Sequence, residues 1–301
     1  MQHRTDAHEV ILPWYERLLL WLLSLGPTPR NLAIIPDGNR RYAKKVGLSV
    51  NDGHVAGRRS LQTMVAWAEM LGAKDVTIYT FSTHNFKRPK DEVGGIFEEI
   101  QALSWDIINN PHVADKKGAR TRCVGDLDQL PRDVQRTLAK LDLITSSNTE
   151  HTSNYCIAYS ARHQLTRITK TMAQAVKEGL LRPDDITPGL VEKSLAVEES
   201  PEIEVLYRTS GETRLSDFLL WQSSYAMLYF EQKTLPEVSF WDFVKGVLYY
   251  QVRAQALKDI RQKHYKELEE CSAEQILRQR TFLLQMEADR VGYLRRLAAD
   301  E

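Results

Sequence analysis

Cysteine is scarce in this chain: Cys123, Cys156 and Cys271 are the only three in 301 residues. They lie far apart and form no CxxC pair, which argues against a zinc ribbon or a disulfide framework and fits a reducing compartment. An excess of charge is missing too. The 40 Lys and Arg residues balance 40 Asp and Glu, so nucleic acid is not expected as a bulk partner, and any phosphate site must be local. Neither GxxxxGK[ST] nor GxGxxG follows any expected strand, so both common nucleotide fingerprints are absent. Proline and glycine are few, and there is no internal repeat and no low-complexity linker. With 43% hydrophobic residues, the chain can bury one large core or two small ones, which argues against disorder.

A long hydrophobic run is also lacking. The most apolar stretch, Ile11 to Leu25 (ILPWYERLLLWLLSL), contains Glu16 and Arg17, has no basic leader or small-residue cleavage site, and is shorter than the ~20 residues that span a bilayer. It reads as an amphipathic helix over residues 1–26, either docked on the core or lying in a membrane surface with its Trp and Leu side chains.

After Gly26-Pro27-Thr28-Pro29, short β-rich segments alternate with helical ones. Strands are expected at Leu32–Ile35, Val76–Phe81, Thr121–Val124, Asn154–Tyr159, Val205–Tyr207 and Met227–Phe230. Between them Leu61, Met64, Val65, Ala68 and Leu71 share one helical face, and Glu92–Ile108 and Pro131–Ile144 read as further helices. This rhythm requires crossover connections, so the fold class is α/β: an open, mostly parallel sheet of about six strands flanked by helices, over residues 27–251. From Val252 the sequence turns charged and Leu-rich. It reads as a long helical extension, 252–301, either a solvated arm or a subunit interface that covers Phe282, Leu283, Leu284, Met286 and Leu294.

Ligands of such sheets sit beyond the carboxyl ends of the strands, and four clusters fall in or near such positions. Ile34-Ile35-Pro36-Asp37-Gly38-Asn39-Arg40-Arg41 ends a strand in a carboxylate and a flexible turn before a basic helix. Free N–H groups at a helix start favour an anion, Gly38 lets the backbone come close, and Arg41 offers a forked contact. A carboxylate facing that anion is repulsive unless a cation lies between them, so Asp37 reads as a Mg²⁺ ligand shared with a diphosphate. A plain Asp-Gly-Asn turn is the other reading. Gly53-His54-Val55-Ala56-Gly57 places a histidine in the first turn of a helix. Phe81-Ser82-Thr83-His84-Asn85-Phe86-Lys87-Arg88-Pro89 brings a hydroxyl, an amide, a cation and an aromatic ring to a strand end, suited to a ligand with a charged head and an apolar body. Tyr207 to Gln222 contains Arg208, Arg214 and Ser216, enough to clamp one diphosphate, with Glu212 placed to orient an arginine.

In this order and spacing DGNRRYAKK (37–45), GHVAG (53–57), FSTHNFKRP (81–89) and YRTSGETRLSDFLLWQ (207–222) resemble the cis-prenyltransferases, the undecaprenyl and dehydrodolichyl diphosphate synthases, over about residues 28 to 250. The eukaryotic dehydrodolichyl branch is the more similar. The resemblance implies an enzyme that condenses isopentenyl diphosphate units onto an allylic diphosphate such as farnesyl diphosphate, with Mg²⁺, feeding the chain down an apolar tunnel. It implies Asp37 as metal ligand and catalytic residue, with Asn85 and Ser82 assisting proton removal and leaving-group departure. Gly38, Asn39, Arg40, Arg41, His54 and Arg88 would bind the allylic diphosphate, and Arg208, Arg214 and Ser216 the isopentenyl diphosphate; Tyr42 and Phe86 would line the tunnel.

Four positions depart from the family pattern: Pro36 for Met, Val50 for Arg, His84 for Glu, and Met227 where bacterial members carry Glu. Members that work alone usually end in Arg-x-Gly. The one candidate here, Arg290-Val291-Gly292, lies inside a helical run, so the resemblance implies a second, non-catalytic family subunit that supplies the contact. The alternative is that this chain is itself the silent accessory subunit; its DGNRR cluster speaks for catalysis, Val50 and His84 against. The implied location is peripheral, on the cytosolic face of an internal membrane, the endoplasmic reticulum.

Overall fold

The computed structural model describes residues 10–110, 118–198, 202–268 and 271–299. Six strands, β1 (Asn31–Ile35), β2 (Asp75–Ser82), β3 (Ala119–Val124), β4 (His151–Tyr159), β5 (Val205–Arg208) and β6 (Met227–Phe230), form one sheet in the order β3-β4-β2-β1-β5-β6. Every pairing is parallel. The expected open parallel sheet is therefore present, and strand ends differ from the sequence reading by at most three residues.

Both faces of the sheet are buried, as parallel strands require. On one face Ile34, Val76, Ile78, Ile157 and Cys123 pack beneath α3 (Val50–Leu71), α4 (Lys90–Asn109), α5 (Arg132–Ile144) and α8 (Phe240–Leu268). The alternate residues Ala33, Ile35, Tyr79, Val124 and Cys156 face the other way, onto the Leu215–Ala226 segment and the start of α6 (Ala161–Lys177). The chain leaves β1 towards β2 on one side and comes back to pair β5 on the other, so β1 is the switch point of the topology. Crevices form at the carboxyl ends of such strands.

Helix α1 (Trp14–Ser24) answers the first open question with a division between its two faces. Leu12 and Leu20 are buried against Trp67 and Phe243, and the Trp67 indole donates to Glu16 Oε2 at 2.8 Å. The opposite face carries Trp14 at 75% and Leu25 at 70% exposure, with Leu18 and Trp21 between them. One side is docked, and the other is bare.

The C-terminal segment is not a free solvated arm: its last helix docks part of its apolar face on the body of the chain and leaves Ile276 and Leu277 exposed. Helix α9 (Ala273–Ala299) buries Phe282 and Met286 against α6 and α7 (Pro188–Glu198), then Leu294 and Leu297 against α5, so it wraps the β3 edge of the sheet. Arg278 grips the buried Asp185 with two guanidinium hydrogen bonds at 2.7 and 2.8 Å. Leu284 stays 63% exposed.

Candidate active site

Three strands deliver the chemistry to one edge: β1 ends before Asp37, β2 runs into Ser82, and β5 ends in Arg208, which pairs in register with Ile35. Thr209, fully buried, fixes the turn after β1: its hydroxyl donates to the Asp37 carbonyl at 2.7 Å and lies 2.8 Å from the Asp37 N–H. The carboxylate is thereby held out over the sheet edge. Asp37 Oδ2 accepts from Arg208 Nη2 at 2.8 Å, and Arg41 lies 3.6 Å from Oδ1. Arg208 is almost fully buried, and its other amino group donates to Ser216 Oγ at 2.9 Å and to the Arg214 carbonyl. Glu212 ion-pairs with Arg41 at 3.2 Å and with Arg214, so one carboxylate joins the two expected diphosphate sites.

Two glycines of the GHVAG cluster have a steric task. Helix α2 (Asn39–Val46) lies so close to α3 that a Cβ on Gly53 would sit 2.7 Å from both the Asn39 carbonyl oxygen and Ala43 Cβ, and one on Gly57 would sit 2.2 Å from Asn39 Oδ1. Gly38 enters α2 at φ +103°, where a side chain would meet Thr234 and Ser210. We expect Gly53→Ala to force α2 off α3 at about 1–3 kcal/mol, as overpacking generally does, and to raise the KM for an allylic diphosphate by displacing Asn39, Arg40 and Arg41 together. Melting temperature and primer KM measured on one preparation check both parts.

On the β2 side, the Ser82 N–H donates to Asn85 Oδ1 at 3.0 Å, which folds the loop back onto its strand. Beyond it lies a carboxylate that sequence reasoning missed. Glu92, the third residue of α4, accepts from Arg88 at 3.1 Å and lies 3.5 Å from His54 Nε2 and 3.9 Å from Arg40. Only the Arg88 contact, at i,i+4, was open to a sequence reading. Burial, reinforced by Arg88, holds His54 below its ordinary pKa of 6.5, with Glu92 opposing, so the imidazole is neutral at pH 7. Its neutral-state stabilisation is present above pH 6.5 and is lost as pH falls below it. Glu92→Gln removes the counter-charge from two cations, Arg88 and Arg40, and the carboxylate beside the neutral His54. We expect primer KM to rise about tenfold, the equivalent of one charge-assisted hydrogen bond, with the KM for isopentenyl diphosphate changing far less.

A cavity of about 850 Å³ opens at this edge. Asp37, Asn39, Arg40, His54, Ser82, Asn85, Arg88, Arg208, Arg214 and Ser216 are among its lining residues. Its depth is largely apolar, with Val65, Ile96, Leu103, Ile107 and Leu141 in the walls beside Gln62, Glu69 and Ser104. At the mouth Asn39 Oδ1 and Arg208 Nε are buried without a hydrogen-bond partner, which marks a place shaped for a polar ligand. Among the described residues no cluster of three or more His, Cys, Asp or Glu could cage a metal. A lone carboxylate beside a diphosphate cradle fits Mg²⁺, which takes one or two protein carboxylates and completes its shell with phosphate oxygens and water.

Several expected residues lie elsewhere. Tyr42 and Phe86 are not among the lining residues; Phe86 packs its ring on Phe81 and Phe97, because the short helical turn Thr83–Lys87 folds it inward. Met227 is buried in the core at the start of β6, away from the carboxyl edge, and Val50 is exposed at the start of α3. Arg290 donates to Asp142 Oδ2 at 2.6 Å behind β3. It is committed to the fold.

A carboxylate-and-arginine mouth at the switch point of a parallel sheet, opening on an apolar cavity, defines an α/β enzyme class whose substrates have a phosphorylated head and a hydrocarbon body. The family model described as putative undecaprenyl diphosphate synthase matches residues 35–258. The chain belongs to this family, the cis-prenyltransferases. It is 38% identical over 256 residues, 85% of its length and 77% of the relative's, to a human dehydrodolichyl diphosphate synthase complex subunit. A tritrans,polycis-undecaprenyl-diphosphate synthase (geranylgeranyl-diphosphate specific) of Picrophilus torridus is 37% identical, covering 83% of this chain and 97% of its own. Among solved structures, lavandulyl diphosphate synthase from Lavandula x intermedia in complex with dimethylallyl diphosphate aligns at TM-score 0.70 and 30% identity, over 74% of this chain and 95% of that one.

Proposed function

We propose that this chain is the catalytic subunit of a heteromeric cis-prenyltransferase. It condenses isopentenyl diphosphate onto an allylic primer, farnesyl diphosphate, to build a long polyprenyl diphosphate of the dehydrodolichyl type for dolichol synthesis and protein glycosylation. The observation that carries this is the pairing, in one cavity, of an arginine-lined mouth with a largely apolar body. Gly38, Asn39, Arg40, Arg41, His54 and Arg88 hold the primer diphosphate, and Arg208, Arg214 and Ser216 hold that of isopentenyl diphosphate. Asp37 would hold Mg²⁺, which would supply charge neutralisation for a bound diphosphate. Asn85 and Ser82, hydrogen-bonded to one another at the mouth, orient the departing oxygen and the proton lost from the new unit. The apolar walls keep water from the allylic fragment, so the homoallylic double bond is its nearest nucleophile.

Two further parts of the reading concern partners. With Arg290 held by Asp142, Arg290-Val291-Gly292 is not free to act as an Arg-x-Gly tail at the mouth, which supports a second family subunit as its source. The bare Trp and Leu face of α1 supports peripheral seating on the cytosolic side of the endoplasmic reticulum. No helix among the described residues is long and apolar enough to cross a membrane.

Incorporation of labelled isopentenyl diphosphate with farnesyl diphosphate tests the proposal, with and without Mg²⁺ and with and without a second family subunit ending in Arg-x-Gly. We expect long products that require Mg²⁺ and a rate that rises with the partner. No product under the complete conditions refutes the catalytic reading. Full rate from the chain alone refutes the heteromer.

A further inference from the structure

Within the wall of this apolar cavity stands a charged pair that neither diphosphate site uses. Arg58 Nε donates to Glu99 Oε1 at 2.6 Å, and both residues line the cavity. Arg58 follows His54 by one turn of α3, about 5.4 Å along the helix axis, and Glu99 follows Glu92 by two turns of α4. The pair therefore stands just inside the mouth, with Leu61, Ile96 and Ile100 also in the walls.

The two side chains are only 19% and 23% exposed. Withdrawing two charges from water offsets most or all of their attraction, so such a pair contributes little to stability and is better explained by what it positions. What it positions is the seam between two helices. Among the described residues, α3 and α4 are joined by polar contacts only at His54–Glu92 and at Arg58–Glu99. Farther in, where Gln62, Val65, Ala66 and Glu69 line the cavity from α3 and Leu103, Ser104 and Ile107 from α4, no hydrogen bond or ion pair crosses. The wall is pinned near the mouth and free to adapt behind it.

We propose that Arg58–Glu99 is a specificity-determining clasp: it sets the width of the passage that a growing polyprenyl chain crosses between the diphosphate site and the apolar depth, and so helps to set product length. This rests on the prenyl-elongating reading above. Its partners are a hydrocarbon chain on one side and the two helices on the other, with no change in the chemistry at Asp37.

Four variants test it in the complete assay, with farnesyl diphosphate, labelled isopentenyl diphosphate and Mg²⁺, and product lengths resolved by chromatography. Arg58→Leu and Glu99→Leu each leave one charge alone in the wall. That charge draws water in, so the distribution shifts to shorter products and the later condensations slow more than the first. The double Leu variant removes the charges and the strap together and shifts products longer than wild type. The exchange Arg58→Glu with Glu99→Arg rebuilds the pair and moves the distribution back towards wild type, an outcome that a merely destabilised fold would not give. If wild type elongates and all four variants give its product distribution, the clasp is wrong while the enzyme reading stands. If the singles shorten products and the exchange fails to restore them, the pairing is wrong. If wild type makes no polyprenyl product, the underlying reading fails first.

Discussion

Asp37→Ala is expected to reduce incorporation of isopentenyl diphosphate at least about a hundredfold, the scale on which preorganised charge acts in a water-excluded site. The expectation comes from geometry. Asp37 follows directly on β1 at the cavity mouth, and its backbone is held by the buried Thr209 on both its N–H and C=O sides. It is also the counter-charge of Arg208, whose guanidinium is buried and whose Nε has no partner. Alanine therefore also leaves a cation unpaired, and lost folding must be separated from lost chemistry. Asp37→Asn keeps the shape and one acceptor for Arg208 while weakening metal binding. Loss of turnover in both variants, with the Asn protein melting near wild type, places the defect in the chemistry. Turnover retained by Asp37→Asn over a range of Mg²⁺ concentrations would remove Asp37 from the metal site.

Arg290→Ala should produce the opposite pattern: a stability loss of about 3 kcal/mol, typical of breaking a buried ion pair from one side, with little change in diphosphate KM. Asp142 is nearly inaccessible, and the oxygen that accepts from Arg290 also accepts the Cys123 N–H at 3.0 Å. Without Arg290, that carboxylate keeps one backbone donor in a dry setting. Chemical denaturation against steady-state kinetics decides the matter. An unchanged denaturation midpoint with a large rise in KM for isopentenyl diphosphate would mean that Arg290 serves as the tail arginine after all.

The strands were legible because each is a short β-branched or aromatic run bounded by turn residues, and Val76–Phe81 and Asn154–Tyr159 were found within three residues of the observed ends. The catalytic edge followed from the same signal, since Asp37, Ser82 and Arg208 each stand at a strand end. The sheet order did not follow, because a parallel pairing such as Ile35 with Arg208 leaves no local mark. Glu92 escaped notice for a related reason: of its three nitrogen-bearing neighbours, Arg40 and His54 come from other helices. The family resemblance implies Phe86 as a tunnel residue, yet a short helical turn rotates neighbouring side chains apart, and its ring joins Phe81 and Phe97 instead. The tail was legible only in part: the solvated-arm reading fails for its last helix, which docks on the body of the chain. Phe282, Met286, Leu294 and Leu297 of α9 find cover within their own chain, while Ile276, Leu277 and Leu284 stay exposed.

The two-sided nature of α1 changes how its proposed seating on a lipid surface can be measured. Its inner face carries Leu20 and the Glu16 acceptor for Trp67, and Trp67 belongs to α3, the helix that also forms a wall of the cavity. A shortened protein without this helix would expose indole and leucine in the body of the enzyme, so poor solubility or shortened products could be mistaken for lost membrane attachment. Polar replacements confined to Trp14, Leu18, Trp21 and Leu25 leave the docked face intact. Flotation with liposomes then reads adhesion alone, and the wall helix serves as its own internal control.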